Sequence, residues 1–192
     1  KALGPDHPDV GSTYLNMGEV LRKQGQLEAA MARYEQALAI QIKALGPDHP
    51  DVGATYMGMG VVLKSQGQLE AAMARYKQAL AITIKTLGPD APSVGDTFNN
   101  MANVLESQGQ FEAAMARYEQ ALAIKIKALG PDHPSVGDTC YNMALLAKTR
   151  QNLPRALELF TRSRDIYLAA HGAEHAEVAD ANEEIARLTA AM

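Results

Sequence analysis

KALGPDHPDVGSTYLNMGEVLRKQGQLEAAMARYEQALAIQI at residues 1–42 is followed at 43–84 by KALGPDHPDVGATYMGMGVVLKSQGQLEAAMARYKQALAITI, the same string with a handful of changes. Gly4, Gly46, Gly88, Gly130 and Gly172 stand in register at intervals of 42 residues, so the repeat sets the architecture. Each copy carries stop and start signals for two helices. Gly46-Pro47 ends one helix, and Pro50 suits the first turn of the next, where its missing N–H costs nothing. Asp48 or His49 is the expected N-cap, and Asp51 suits the positive end of the helix dipole. The first helix of this copy is expected from about Asp51 to Gln66, with Gly67 at a left-handed C-terminal position, and the second from about Leu69 to Leu87. Val52, Tyr56, Met59, Gly60 and Leu63 recur at spacings of three and four, as do Ala72, Tyr76, Ala79, Leu80 and Ile84. Both helices are therefore amphipathic.

A two-helix hairpin cannot bury its own apolar faces, so successive copies must stack into an all-α superhelix with a concave side. The expected units are residues 1–42, 43–84, 85–126 and 127–168 of one array spanning 1–192. The ends of such a stack need polar covers. The fourth copy departs from the pattern, with Gln151 in place of the turn glycine and Pro154 opening its second helix. A lone capping helix is expected at about residues 174–191, carrying Glu183, Glu184 and Arg187. The chain opens on Lys1 without an initiating Met, which reads as part of a longer protein.

Composition narrows the function classes. Apolar residues make up 47% and charged residues 21%, as in an ordinary folded protein, while aromatics are only 5% and Trp is absent. Alanine does much of the packing. Lys+Arg 18 against Asp+Glu 22 gives a net charge of −4 with no run of like charge, which argues against nucleic acid as a partner. No apolar run approaches the roughly 20 residues of a membrane span. The lone Cys140 excludes an internal disulfide and fits a reducing compartment, so a cytoplasmic location is expected.

Tyr14, Met17, Gly18, Leu21, Ala30, Tyr34 and Ala37 recur as Tyr56, Met59, Gly60, Leu63, Ala72, Tyr76 and Ala79. The third copy has Phe98, Met101, Ala102, Leu105, Ala114, Tyr118 and Ala121, and the fourth keeps Met143, Ala144, Ala156 and Phe160. This pattern resembles the tetratricopeptide repeat, which implies a right-handed α-α superhelix. The 42-residue period, with LGPDAPSVGDTFNNMANVL followed by QGQFEAAMARYEQALAIKIKALG, is similar to the repeats of kinesin light chains and nephrocystin-3-like proteins. The resemblance implies a scaffold binding a protein or extended peptide in its concave groove, without a cofactor. By position, it implies groove asparagines at Asn16, Asn99, Asn100 and Asn142, with Gly58 breaking the series. A structural or sensor array within a multidomain signalling ATPase, or an array with no defined ligand, stays open, as does the oligomeric state.

Among the first three copies, differences concentrate at Ser12/Ala54/Asp96, Leu15/Met57/Asn99, Asn16/Gly58/Asn100, Glu19/Val61/Asn103, Arg22/Lys64/Glu106 and Lys23/Ser65/Ser107. These offsets advance by three or one and form a stripe on one face of the first helix. Other polar positions, such as Gln24, Glu28, Arg33 and Gln36, do not change between copies. The stripe is accordingly expected to line the groove. It is mixed: Arg22, Lys23, Lys64 and Lys148 are basic, Glu19, Asp96, Glu106 and Asp138 acidic, and Met57, Val61, Tyr141 and Leu145 apolar. Asn16, Asn99, Asn100, Asn103 and Asn142 add amides that donate and accept, suited to a peptide backbone of any sequence.

Catalytic and metal chemistry find no constellation. His7, His49 and His133 sit a repeat apart before prolines, where a capping or loop role is expected, and the third copy has Ala91. His171 and His175 are separated by Gly172 at a turn. Cys140 takes the slot of Tyr14, Tyr56 and Phe98 and reads as a packed thiol, while Met17, Met59, Met101 and Met143 read as repeat core. The glycines match neither GxxxxGK[ST] nor GxGxxG.

Overall fold

The structure, a computed structural model, describes residues 4–191. His7, His49 and His133 settle how the first helices begin. Each is an N-cap whose ring Nδ1 accepts the backbone N–H two residues on, at 3.2 Å from Asp9, 3.2 Å from Asp51 and 3.1 Å from Ser135. The proline that follows supplies the first turn, so α1 runs Pro8–Lys23, α3 Pro50–Ser65, α5 Pro92–Ser107 and α7 Pro134–Thr149. Ala91, lacking an acceptor, leaves α5 without the side-chain cap. The second helices are α2 Leu27–Leu45, α4 Leu69–Leu87, α6 Phe111–Leu129 and α8 Leu153–His171, and α9 spans Ala176–Ala191. Pro154 falls in the first turn of α8, and α8 continues through His171 before turning at Gly172.

The two helices of each repeat form the tightest pairs, and each second helix then packs on the first helix of the next repeat. Within a pair, the tyrosine of the second helix is seated against the backbone of the first. A Cβ at Gly18 would stand 2.6 Å from the Tyr34 ring, and one at Gly60 would be closer still to Tyr76. Between repeats, Met59 and Val62 of α3 are buried in a cluster with Leu27, Met31, Tyr34 and Leu38 of α2. Met101 and Val104 of α5 pack in the same way against Leu69, Met73, Tyr76 and Leu80 of α4. Removing such a side chain from water contributes about 1.5–3 kcal/mol, which is what couples one repeat to the next. First helices of neighbouring repeats also touch, α1 with α3 and α3 with α5, and so line the inner side of the curve.

The two ends differ. At the C-terminal end α9 covers α7 and α8, burying Val178, Ala181 and Leu188. At the other end no helix among the described residues packs on the outer face of α1, and this corrects the reading of Met17 as core. Met17 and Val20 are 40% and 55% exposed, where their equivalents Met59 and Val62 are 3% and 0%. Cys140 is fully buried, and burial pushes its thiol up.

Two predictions concern stability. Gln151 adopts φ 61°, where Gly25, Gly67 and Gly109 sit at 73–75°. A left-handed non-glycine residue costs about 1–2 kcal/mol, so Gln151→Gly is expected to raise stability by roughly 1 kcal/mol in denaturant titration. Glu184 of α9 receives hydrogen bonds from Lys148 and Arg187. The Lys148 bond outweighs burial and holds the carboxyl below its usual range. A depressed carboxylate stabilises above its unfolded pKa of about 4.3 and loses that contribution as pH falls through the folded value. Amide exchange, corrected for intrinsic rates, should show α9 loosening in that acid window, and Glu184→Gln should abolish the pH dependence.

Candidate binding groove

Apart from the buried Gly58 the stripe residues are exposed or half-buried, and eight of them meet around one cavity. Its volume is about 630 Å³, and it opens between α1, α3, α5 and the C-terminal end of α4. Glu19 and Arg22 stand on one side, Met57 and Val61 form the floor with Ala54 and Gly58, and Asn100 stands opposite with Asp96. Repeat 2 makes the hollow because its stripe side chains are small: Ala54 and Gly58 take the places of Ser12 and Asn16 in repeat 1 and of Asp96 and Asn100 in repeat 3. Gly58 also answers to its neighbour, since a Cβ there would lie 2.7 Å from Cζ of Tyr34.

Much of the stripe's charge is already matched inside the protein. Arg22 donates to Glu19 at 2.8 Å, and the Tyr34 hydroxyl donates to the same carboxylate at 2.5 Å. Burial alone pushes the Glu19 carboxyl up, but these bonds outweigh it and hold the group below its usual range. In repeat 3 Asn103 and Glu106 both accept from the Tyr118 hydroxyl. In repeat 2 Val61 and Lys64 replace those acceptors, and the Tyr76 hydroxyl finds none among the described residues. Lys148 is paired with Glu184. Tyr141 meets Phe160 edge-on at 5.1 Å, and it packs with Leu145 in the cluster that Ile185 and Leu188 of α9 join. These three residues therefore spend part of their surface holding the cap.

The asparagines divide. Asn142 donates to Asn99 at 3.3 Å, linking α7 to α5. Asn100 has no side-chain partner among the described residues and faces the cavity. Asn16 lies instead beside Met17 and Val20 at the N-terminal face. Lys23 and Lys64 carry no ion pair among the described residues.

A reading confined to the first helix misses one contributor. Gln41, Thr83, Lys125 and Tyr167 occupy one position of the second helices, and that position differs in all four copies. Three of them meet the first-helix residue that opens the stripe in their own repeat. Thr83 lines the cavity beside Ala54, Lys125 pairs with Asp96 at 2.9 Å, and the Tyr167 hydroxyl donates to Asp138 at 2.7 Å. Gln41 is fully buried and accepts from Thr55 at 2.6 Å. Variation at this position was the available signal.

The constant polar positions are not idle surface. Arg33, Arg75 and Arg117 sit over the rings of Tyr14, Tyr56 and Phe98, 5.4–5.8 Å from their centroids, and donate to Gln36, Gln78 and Gln120. Glu112 accepts from Arg150 at 2.6 Å. Their constancy has a structural cause, so the case for the stripe rests on the cavity rather than on the contrast between varying and constant positions.

Among the described residues no cluster of three potential metal ligands occurs, and no helix is long and apolar enough to cross a membrane. The His171 and His175 rings stack at 4.4 Å.

The tetratricopeptide repeat family model matches residues 9–85, 74–127 and 93–169. The chain belongs to the tetratricopeptide repeat family. No curated protein matches it in sequence. Among solved structures of tetratricopeptide arrays, the putative kinesin light chain of Podosopora anserina, with nearly identical repeats, is 27% identical with a TM-score of 0.76 over 96% of this chain and 88% of that one. Its Q17M variant is 27% identical with a TM-score of 0.77, covering 96% and 87%. BtubC (BKLC) from P. vanneervenii has a TM-score of 0.82 at 19% identity, covering 96% and 73%, and shares the fold. The tetratricopeptide repeat match brings with it no catalytic domain.

The Asp96–Lys125 pair yields an asymmetric prediction. Lys125 is 3% exposed and Asp96 53%. Asp96→Ala leaves the buried ammonium only the Ser135 carbonyl, at 3.3 Å, and should destabilise by about 1–3 kcal/mol, discounted for the exposure of the acid. Lys125→Met removes the buried charge and leaves Asp96 in water, so its cost should stay within about 1 kcal/mol. Denaturant titration of both variants checks the difference.

Proposed function

We propose that this tetratricopeptide array is a binding scaffold, not an enzyme, and that it holds an extended protein segment along the groove lined by its first helices. The observation that carries the reading is the cavity at repeat 2. It combines an apolar floor of Ala54, Met57 and Val61 with the unpartnered amide of Asn100 on its rim. An apolar side chain of the ligand enters the hollow, while the Asn100 amide bonds its backbone. Glu19 and Arg22, satisfied by each other, shape one wall rather than select charge. Lys23 and Lys64 supply positive charge free to meet the ligand. Likeness to the P. anserina putative kinesin light chain repeats supports an adaptor of that type, working in the cytoplasm.

The intact chain panned against a displayed random peptide library should enrich binders. Ala54→Phe, which fills the hollow from an exposed position, and Asn100→Ala should each weaken them about tenfold or more, a loss of about 1.4 kcal/mol. Gln36→Ala on the second helix should leave them unchanged. Failure to enrich any peptide, or binders indifferent to both groove variants, would overturn the reading.

A further inference from the structure

Three repeats place a tyrosine hydroxyl at the same point between the helices, and in one of them the chain supplies nothing to receive its proton. In repeat 1 the Tyr34 hydroxyl and the Arg22 guanidinium both donate to the Glu19 carboxylate. In repeat 3 the Tyr118 hydroxyl donates to Asn103 and Glu106. Repeat 2 keeps the two donor positions of repeat 1, as Tyr76 and Lys64, and has Val61 where the carboxylate stood. The donors are present without their acceptor.

The Tyr76 hydroxyl belongs to an almost sealed side chain, yet it meets the groove. Tyr76 is 1% exposed, and its ring lies so close to Gly60 that a Cβ there would collide with it. Val61, the next residue, packs against the cluster of Tyr76 and lines the cavity of about 630 Å³. Asn100, the equivalent of the Gly58 that meets the tip of the Tyr34 ring, lines the same cavity from α5. The fully enclosed polar atoms without a partner among the described residues are Gln41 Nε2 and His175 Nδ1. The Tyr76 oxygen is not one of them, so it reaches an opening. Burial pushes this hydroxyl up and keeps it a donor, while Arg22, which also lines the cavity, pulls the other way.

The charges around the donor favour an anion. Glu19 and Asp96, the carboxylates that line the cavity, are matched by Arg22 and Lys125. Lys64, one helical turn beyond Val61, carries no ion pair among the described residues. A buried donor left without an acceptor is costly, and an ionised acceptor makes the stronger bond.

We infer that the Tyr76 hydroxyl, with Lys64 beside it, receives the side-chain carboxylate of an aspartate or glutamate in the bound segment, in the role Glu19 plays in repeat 1. The inference rests on the groove holding an extended segment, and adds the identity of one ligand residue and a reader on a second helix. In a groove whose other cavity-lining charges are paired, it is a single charged contact among apolar and amide ones.

The test takes peptides enriched on the full chain from the displayed library and remakes them with amidated C-termini, so that side chains carry the carboxylates. Binders should contain an Asp or Glu whose change to Asn or Gln weakens affinity about tenfold. Tyr76→Phe, which keeps the ring, should weaken the acidic peptide by a similar factor and leave its amide version unchanged. Val61→Glu should also weaken the acidic peptide while raising the thermal midpoint, because it returns the acceptor of repeat 1 to the chain itself. Midpoints of both variants separate lost binding from lost fold. Binders that need no acid, equal losses for the acidic peptide and its amide version, or binding indifferent to Tyr76→Phe and Val61→Glu overturn the inference and leave the groove reading standing. Enrichment of no peptide at all overturns both.

Discussion

Tyr34, Tyr76, Tyr118 and Phe160 are seated so close to the first helix of their repeat that the position beneath them tolerates only Gly18, Gly60, Ala102 and Ala144. This contact sets the distance between the two helices of a pair. It also places the ring tip where the next repeat begins, which is why Tyr34 reaches Gly58 as well as Gly18. The same side chain therefore packs a repeat and joins it to its successor. Small residues beneath a large ring let the backbones approach, and the apolar side chains that flank the ring then exclude water. Loss of any one ring would loosen two interfaces.

Most of this was legible in the residues. The period, the paired helices and their turns follow from Gly, Pro and apolar spacing, and the second helix of repeat 2 runs from Leu69 to Leu87 as its spacing predicts. The first helix begins at Pro50, one residue earlier than periodicity suggested, because the His49 ring nitrogen caps it. Choosing between Asp48 and His49 needed the position of that nitrogen. The exposure of Met17 was hidden for a different reason: its sequence neighbourhood matches that of Met59, and what separates them is that α2 covers Met59 while no helix among the described residues covers Met17.

The groove was legible in outline and not in detail. Copy-to-copy differences pick out one face of the first helices, and Met57, Val61 and Asn100 of that face share a cavity with Glu19 and Arg22. Nothing in the stripe announces that Arg22 is held by Glu19, or Lys148 by Glu184, because those bonds depend on side-chain reach across turns and between repeats. A groove that looks strongly mixed in charge is electrically quieter than its composition suggests. Charges already paired within the protein are less free to meet a ligand, so the proposed groove would rely more on shape and amides than on charge.

The pairs formed by the second helices bear on a difficulty peculiar to chains whose segments are nearly interchangeable. While folding, α3 meets α2, α4 and α6 with almost the same apolar faces, and hydrophobic burial alone discriminates poorly among them. Lys125 narrows that ambiguity for α6. Packed on α5 it finds Asp96, but packed on α3 it would face Ala54 and bury an ammonium without an acid. The Tyr167 hydroxyl likewise finds the acid Asp138 on α7, where α1 and α3 have Ser12 and Ala54. Residues that differ between copies thus act as addresses, restricting which first helix a given second helix can pair with in a chain that otherwise repeats itself.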